Sequence, residues 1–74
     1  MRNKDVAFSD REKRTMERIL KEIKKSKHDG MTIADLSRKL GISRYTVSKY
    51  VLFLKGAGKI LERKVGVARL YYVK

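Results

Sequence analysis

The side chains best suited to chemistry in this sequence lie between Arg44 and Lys49. Val47, Val51 and Leu54 recur at the three- and four-residue spacing of a helix, so they share one apolar face. The same geometry turns four other side chains outward: Arg44, Tyr45, Ser48 and Lys49. These side chains offer guanidinium, hydroxyl and ammonium donors. The chemistry that this face predicts is therefore recognition by hydrogen bonding and charge.

Residues for catalysis or metal binding are scarce. The chain has no cysteine, and its one histidine, His28, stands beside Asp29 at a predicted helix end. A thiol nucleophile and a thiolate zinc site are therefore excluded, and no other cluster has metal-ligand spacing. The run from Gly56 to Lys59 lacks the first glycine and the Ser or Thr of a phosphate-binding loop. We expect no enzyme activity, no metal site, no cofactor and no small-molecule ligand.

Charge indicates a polyanionic partner. The 74 residues include 20 Lys and Arg against 8 Asp and Glu, a formal net charge of +12. Such an excess costs self-repulsion, which an ordinary solvated surface avoids, and it is typical of nucleic-acid-binding domains. No apolar run approaches the roughly 18–20 residues that span a bilayer, and no signal peptide is visible. We expect one small domain, cytoplasmic and associated with the nucleoid.

Two helices joined by a tight turn position the polar face. Apolar residues recur at helical spacing over residues 33–40 and again over residues 47–54. Gly41 interrupts the pattern, because a tight turn needs a residue that enters the left-handed region without a Cβ clash. Ser37 is small enough for the helices to approach closely, and Ser43 stands at the expected N-cap of the second helix.

A further helix precedes this pair. Ser9 and Glu12 have the spacing of a capping box, and an apolar stripe from Met16 to Ile23 follows. Gly30 has the position of the glycine just past the end of this helix. We expect residues 1–8 to form a flexible basic arm that Phe8 anchors, and residues 9–74 to form the folded domain.

A hairpin follows the pair. Residues 60–63 and 69–73 are strand-like, and Gly66 is the glycine able to turn the chain between them. Arg63, Lys64 and Arg69 flank this turn, so the predicted hairpin has a basic tip and basic flanks. On the second strand, Leu70 and Tyr72 share one face, and Tyr71 and Val73 share the other. We expect Leu70 and Tyr72 to face the helices, which leaves Tyr71 and Val73 exposed to a partner.

The order helix, helix, turn, helix, hairpin resembles the winged helix-turn-helix family of DNA-binding transcription regulators, of the compact archaeal and bacterial type. The resemblance covers about residues 9–73. The matching positions are Leu36, Ser37, Leu40, Gly41, Ile42, Val47 and Tyr50, with Gly66 and the Arg-x-Tyr-Tyr from Arg69 to Tyr72 in the wing. It implies a mainly α fold with a small β component: three helices plus a C-terminal β-hairpin wing. It also implies a short strand at Met31 that pairs with the hairpin.

The resemblance implies sequence-specific binding of double-stranded DNA and transcription regulation. Recognition helix 43–55 would lie in the major groove, and wing 60–73 on the adjacent backbone or minor groove. The implied recognition-helix contacts are Ser43, Arg44, Tyr45, Ser48 and Lys49. The implied wing contacts are Arg63, Lys64 and Arg69, and the flanking phosphate contacts are Arg38 and Lys39. Arg44 leads this set, because a guanidinium pairs in two ways with guanine O6 and N7.

We expect a homodimer, because one helix reads only a few base pairs. The first helix and the edge formed by Tyr71 and Val73 are both candidates for the subunit contact. Two alternatives stay open. One is a winged-helix protein-interaction module of a larger assembly, and the other is binding of RNA or of DNA without sequence preference.

Overall fold

Three helices come first and two strands follow in the computed structural model, which describes residues 8–73. The elements are α1 (Asp10–Ser26), a 3₁₀ turn (Lys27–Asp29), α2 (Ile33–Leu40), α3 (Arg44–Gly56), β1 (Leu61–Val65) and β2 (Ala68–Tyr72). The predicted fold of three helices and a C-terminal hairpin is confirmed. The predicted arm lies outside the described residues except for Phe8.

Side-chain caps begin all three helices. Ser9 Oγ accepts from the amide of Glu12 at 3.2 Å, and Glu12 Oε1 accepts from the amide of Ser9 at 2.9 Å. Thr32 and Asp35 form the same reciprocal pair at the start of α2. Ser43 caps α3 by accepting from the backbone amide three residues further on. These hydrogen bonds satisfy helix donors that have no partner within the helix.

The end of α1 differs from the prediction. The helix stops at Ser26, and Lys27 adopts a positive φ of 54°, so Gly30 is not the residue that ends it. Gly30 has another role, because a Cβ there would lie 3.1 Å from Leu70 Cβ and 3.2 Å from the Tyr71 carbonyl oxygen. The glycine therefore lets the hairpin approach the chain closely.

The core collects one face from each of the three helices and one side chain from β2. Its buried residues are Ile19, Ile23, Leu36, Val47, Tyr50, Val51, Leu54, Ile60 and Tyr71. Phe8 packs at its edge, with ring-centroid distances of 6.2 Å to Tyr50 and 4.9 Å to Phe53. This confirms the predicted contact of Phe8 with the core. Together these contacts fix α3 from one side and leave its other side free.

A two-residue loop joins the antiparallel strands. Val65 pairs with Ala68, so Gly66 and Val67 form the turn, and Gly66 has the positive φ (65°) that such a turn assigns to glycine. The expected short strand at Met31 is confirmed. The amides and carbonyls of Met31 and Tyr71 exchange two hydrogen bonds of 2.9 Å.

The predicted facing of β2 is wrong. Tyr71 is buried, with 3% of its surface exposed, and Val73 packs against the core, whereas Tyr72 lies on the outer face. Directly opposed residues of an antiparallel pair point to the same face. Because Met31 packs against the core, its partner Tyr71 does so too. The alternation of side chains along β2 allowed either face to be the buried one, since both faces carry apolar residues.

Candidate nucleic-acid interface

The outer side of α3 carries the predicted recognition residues. Val47, Tyr50, Val51 and Leu54 hold the other side of the helix in the core. The outer side chains are those of Ser43, Arg44, Tyr45 and Lys49, which are exposed, and Ser48, which is half-buried. Tyr45 is 79% exposed although it is large and partly apolar. The outward orientation predicted from helical spacing is therefore confirmed, and the role of these residues stays a prediction.

The outer side of α3 divides into two stripes by helical spacing. Arg44, Ser48 and Lys55 follow one line, and Lys55 Nζ lies 2.8 Å from Glu62 Oε1 on β1. This first stripe therefore borders the wing. Lys49 belongs to the second stripe, and its Nζ lies 5.0 Å from the centroid of the Tyr50 ring. Helical spacing thus groups Arg44 and Ser48 with Lys55, which contacts the wing, and places Lys49 on the other stripe.

Sequence reasoning missed two residues of this surface. Lys55 completes the first stripe, and Leu52 is 58% exposed on the second, one heptad after Tyr45. The three- and four-residue spacing that selected Arg44 and Ser48 also leads to these two positions. An exposed Leu52 gives the second stripe an apolar end, which distinguishes it from the basic first stripe.

The structure separates the three predicted wing residues. Lys64 and Arg69 lie opposite each other on the face of the hairpin that also bears Glu62. Arg63 points to the other face, where its Nη2 donates to the His28 carbonyl oxygen at 3.0 Å. The Arg63 guanidinium also lies 4.9 Å from the centroid of the Tyr72 ring. Arg63 is therefore engaged in holding the wing against the 3₁₀ turn.

The tip of the wing is apolar, contrary to the predicted basic tip. It consists of Val65, Gly66, Val67 and Ala68, all of them exposed, and Val67 is completely so. The pairing register places Lys64 and Arg69 one step below the tip. Positive charge is therefore carried on the side of the hairpin, next to α3.

Glu62 connects α3 to the wing. Its carboxylate pairs with Lys55 at 2.8 Å and with Arg69 Nε at 3.7 Å, and its side chain is 15% exposed. The Lys55 hydrogen bond, with the nearby positive charges, holds the pKa of Glu62 below its ordinary value. Burial raises the pKa of the neighbouring Tyr71 hydroxyl above its ordinary value. One carboxylate therefore holds both Lys55 on α3 and Arg69 on the wing.

The two predicted flanking residues lie on the last turn of α2. Arg38 Nη2 donates to Asp35 Oδ1 at 2.9 Å, and Lys39 Nζ lies 4.0 Å from Glu22 Oε1 on α1. Both side chains are largely exposed, so these ion pairs are weak and exchange readily with solvent. The thermodynamic cost of moving either cation to a phosphate is correspondingly small.

Comparison with known proteins identifies one family. The model of a family described as an HTH (helix-turn-helix) domain matches residues 15–72. The comparisons with curated proteins and with solved structures found no match. In the part of the chain that the structure describes, no three His, Cys, Asp or Glu residues come together as metal ligands. No helix within residues 8–73 has the length and apolar character needed to cross a membrane.

Proposed function

The chain belongs to the HTH domain family, and from that premise we propose that it binds double-stranded DNA with sequence preference and regulates transcription. Membership of this family supports DNA binding, and we propose in addition that α3 reads bases. The observation that carries it is the position of Arg44. This arginine is exposed on the first turn of α3 and makes no ion pair within residues 8–73. No group of the described residues holds its guanidinium, so an external acceptor can bind there.

In the proposed complex α3 lies in the major groove, and its first two turns face base edges. Arg44 donates two hydrogen bonds to O6 and N7 of a guanine. Tyr45, which is largely exposed, packs on a thymine methyl or donates its hydroxyl to a phosphate. Ser43, Ser48 and Lys49 supply further donors to phosphates or bases.

The wing and the end of α2 contact the backbone on either side. Lys64 and Arg69 face the same direction on the hairpin, and Lys64 has no ion-pair partner among the described residues. Arg69 shares Glu62 with Lys55, so a phosphate would compete with that carboxylate. Of the three predicted wing contacts, Arg63 is the one that we expect to add no phosphate contact, because carbonyl oxygens already accept from it. Arg38 and Lys39 hold flanking phosphates.

A homodimer acting at the nucleoid is part of the proposal. Tyr71 and Val73 pack against the core, so they no longer offer the subunit contact that the sequence allowed. The first helix still offers a subunit contact, because an apolar groove between α1 and the end of α3 is lined by Met16, Leu20 and Phe53. This groove lies away from the first stripe of α3, so a second subunit seated there leaves Arg44 accessible.

The test is selection of bound duplexes from a random pool, followed by binding of wild type and Arg44→Ala to selected and random duplexes. Loss of one two-bond base contact lowers affinity for the selected duplex by roughly 1–3 kcal/mol, or about 5- to 150-fold. Affinity for random duplexes changes much less. Arg63→Ala is the control, since it also removes an exposed arginine but leaves α3 unchanged.

Equal losses of affinity for selected and random duplexes would contradict base reading by α3. That result would favour nucleic-acid binding without sequence preference, which the net charge of +12 also supports. Mass measurement of the complex with the selected duplex reports whether one or two subunits bind.

A further inference from the structure

A second basic surface runs along the outer face of α1. Its cations recur at steps of four, three and four residues, and all are exposed: Arg14, Arg18, Lys21 and Lys25. We call these residues the α1 stripe. This spacing keeps them on one side of the helix, and the stripe extends about 16 Å along the helix axis.

The α1 stripe faces away from the core. Ile19 and Ile23, on the opposite side of α1, are completely buried against the same cluster that holds Val47 and Val51 of α3. The outer side of α3 and the α1 stripe therefore lie on different sides of the core. A straight duplex that contacts α3 on one side of the core therefore need not cover the α1 stripe on the other side.

Carboxylates within residues 8–73 neutralise little of the stripe. Lys25 Nζ lies 3.4 Å from Glu22 Oε2, and Arg18 Nη2 donates to the Leu40 carbonyl oxygen at 3.4 Å. Arg14 and Lys21 make no ion pair within residues 8–73. Like charges three and four residues apart on a helix repel each other, so the stripe destabilises α1 unless a partner neutralises it.

We propose that the α1 stripe binds the phosphate backbone of a second duplex, so that one molecule bridges two DNA segments. A duplex presents about one negative charge per 1.7 Å of axis, so a row of cations about 16 Å long meets phosphates over its whole length. In this proposal the stripe contacts phosphates and not base edges, so the contact has no sequence preference. The inference rests on the proposed function, because the first duplex is the one bound at α3.

Capture between two duplexes tests this inference. One duplex carrying the selected site is immobilised, and a second, labelled random duplex is added with the protein. The variant is Arg14→Gln combined with Lys21→Gln, which changes two exposed residues. Lys24→Gln combined with Lys27→Gln is the matched control, because it removes two exposed positive charges near the end of α1 that lie outside the stripe.

Wild type and the control capture the labelled duplex, and the stripe variant captures about tenfold less. The same variant binds the selected duplex alone within about threefold of wild type. Equal capture by the stripe variant and the control would overturn the inference, as would no capture by wild type. Stronger competition by polyglutamate than by duplex DNA would also overturn it, since the partner would then be an acidic protein.

Two further measurements are needed. One distinguishes a DNA contact at the stripe from a subunit contact, and the other tests base reading by α3 separately from bridging. The mass of the stripe variant in solution is compared with that of wild type, and loss of a dimer would overturn the inference by making the stripe a subunit contact. The preference for selected over random duplex, measured with one duplex and Arg44→Ala, reports the proposed function independently. Stripe-dependent capture without that preference would therefore contradict the proposed function alone.

Discussion

The two regions proposed to meet DNA, α3 and the wing, use their arginines differently. Arg44 on α3 has no ion-pair partner among the described residues. On the wing, Arg63 donates to carbonyl oxygens of the 3₁₀ turn, and Arg69 pairs with Glu62. The core holds α3 in place, so this helix can present its charge outward. The wing has few buried residues, so part of its charge holds the wing itself in place.

This contrast has a simple physical basis. α3 buries four side chains in the core, whereas the two strands together bury only Tyr71. Ile60, which precedes β1, adds one more buried anchor. A two-stranded hairpin alone is marginal in water, so its orientation depends on such anchors and on polar contacts to the body. Substitutions on the wing should therefore separate into those that affect its seating and those that affect binding.

The largest effect is expected at Tyr71. Tyr71→Ala removes a buried aromatic ring beside the Met31 bridge, and large-to-small changes of this kind cost roughly 3–5 kcal/mol of unfolding free energy. Tyr72→Ala, the matched change on the outer face, removes a half-buried ring and one cation–π contact, and costs roughly 1–2 kcal/mol. Denaturant unfolding measures both. Equal losses would show that the two faces of β2 contribute equally to stability.

The next comparison is between substitutions of Lys64 and of Arg63. Lys64→Ala should weaken binding to every duplex alike and make the slope of log K against log salt less steep by about 0.9, the value for one phosphate contact. Arg63→Ala should leave that slope unchanged and lower stability by roughly 1 kcal/mol, because its hydrogen bonds are internal. Salt titration and thermal unfolding of both variants check this. A changed slope for Arg63→Ala would make Arg63 a DNA contact after all.

The smallest effect is expected at Glu62, and it depends on pH. Glu62→Gln keeps the shape but loses the charge that pairs with Lys55 and Arg69, so those cations become free for phosphates. Binding to random duplexes should strengthen slightly, and the melting temperature at neutral pH should fall.

The sign of the pH dependence follows from the carboxylate. The pKa of Glu62 is lower in the folded protein than its ordinary value near 4.5, so the folded state favours the charged form. Its stabilising contribution is complete above about pH 5 and is lost as pH falls through the lowered pKa. The difference in melting temperature between wild type and Glu62→Gln should therefore shrink towards pH 3. A difference that stays constant from pH 7 to pH 3 would contradict the charge-based account.

Local rules made the helical part of the fold predictable. The caps at Ser9, Thr32 and Ser43 depend on groups only three residues apart. The left-handed Gly41 and the buried faces of α1 and α3 follow from conformational preference and from the helical period. For the same reason the outward position of Arg44 and Tyr45 on α3 was predictable.

The sequence by itself therefore determined the order of elements, the helix starts, the turn before α3 and the outward side of α3, because each depends on neighbours within a few positions. Only the tertiary structure decided which face of the wing is buried, that Arg63 is held by carbonyl oxygens of residues 28 and 29, and that Lys55 and Arg69 share Glu62. These features depend on contacts between distant segments, above all the pairing of Met31 with Tyr71. The alternation of side chains along β2 allows either face to be buried, and the bridge between Met31 and Tyr71 decides which one is.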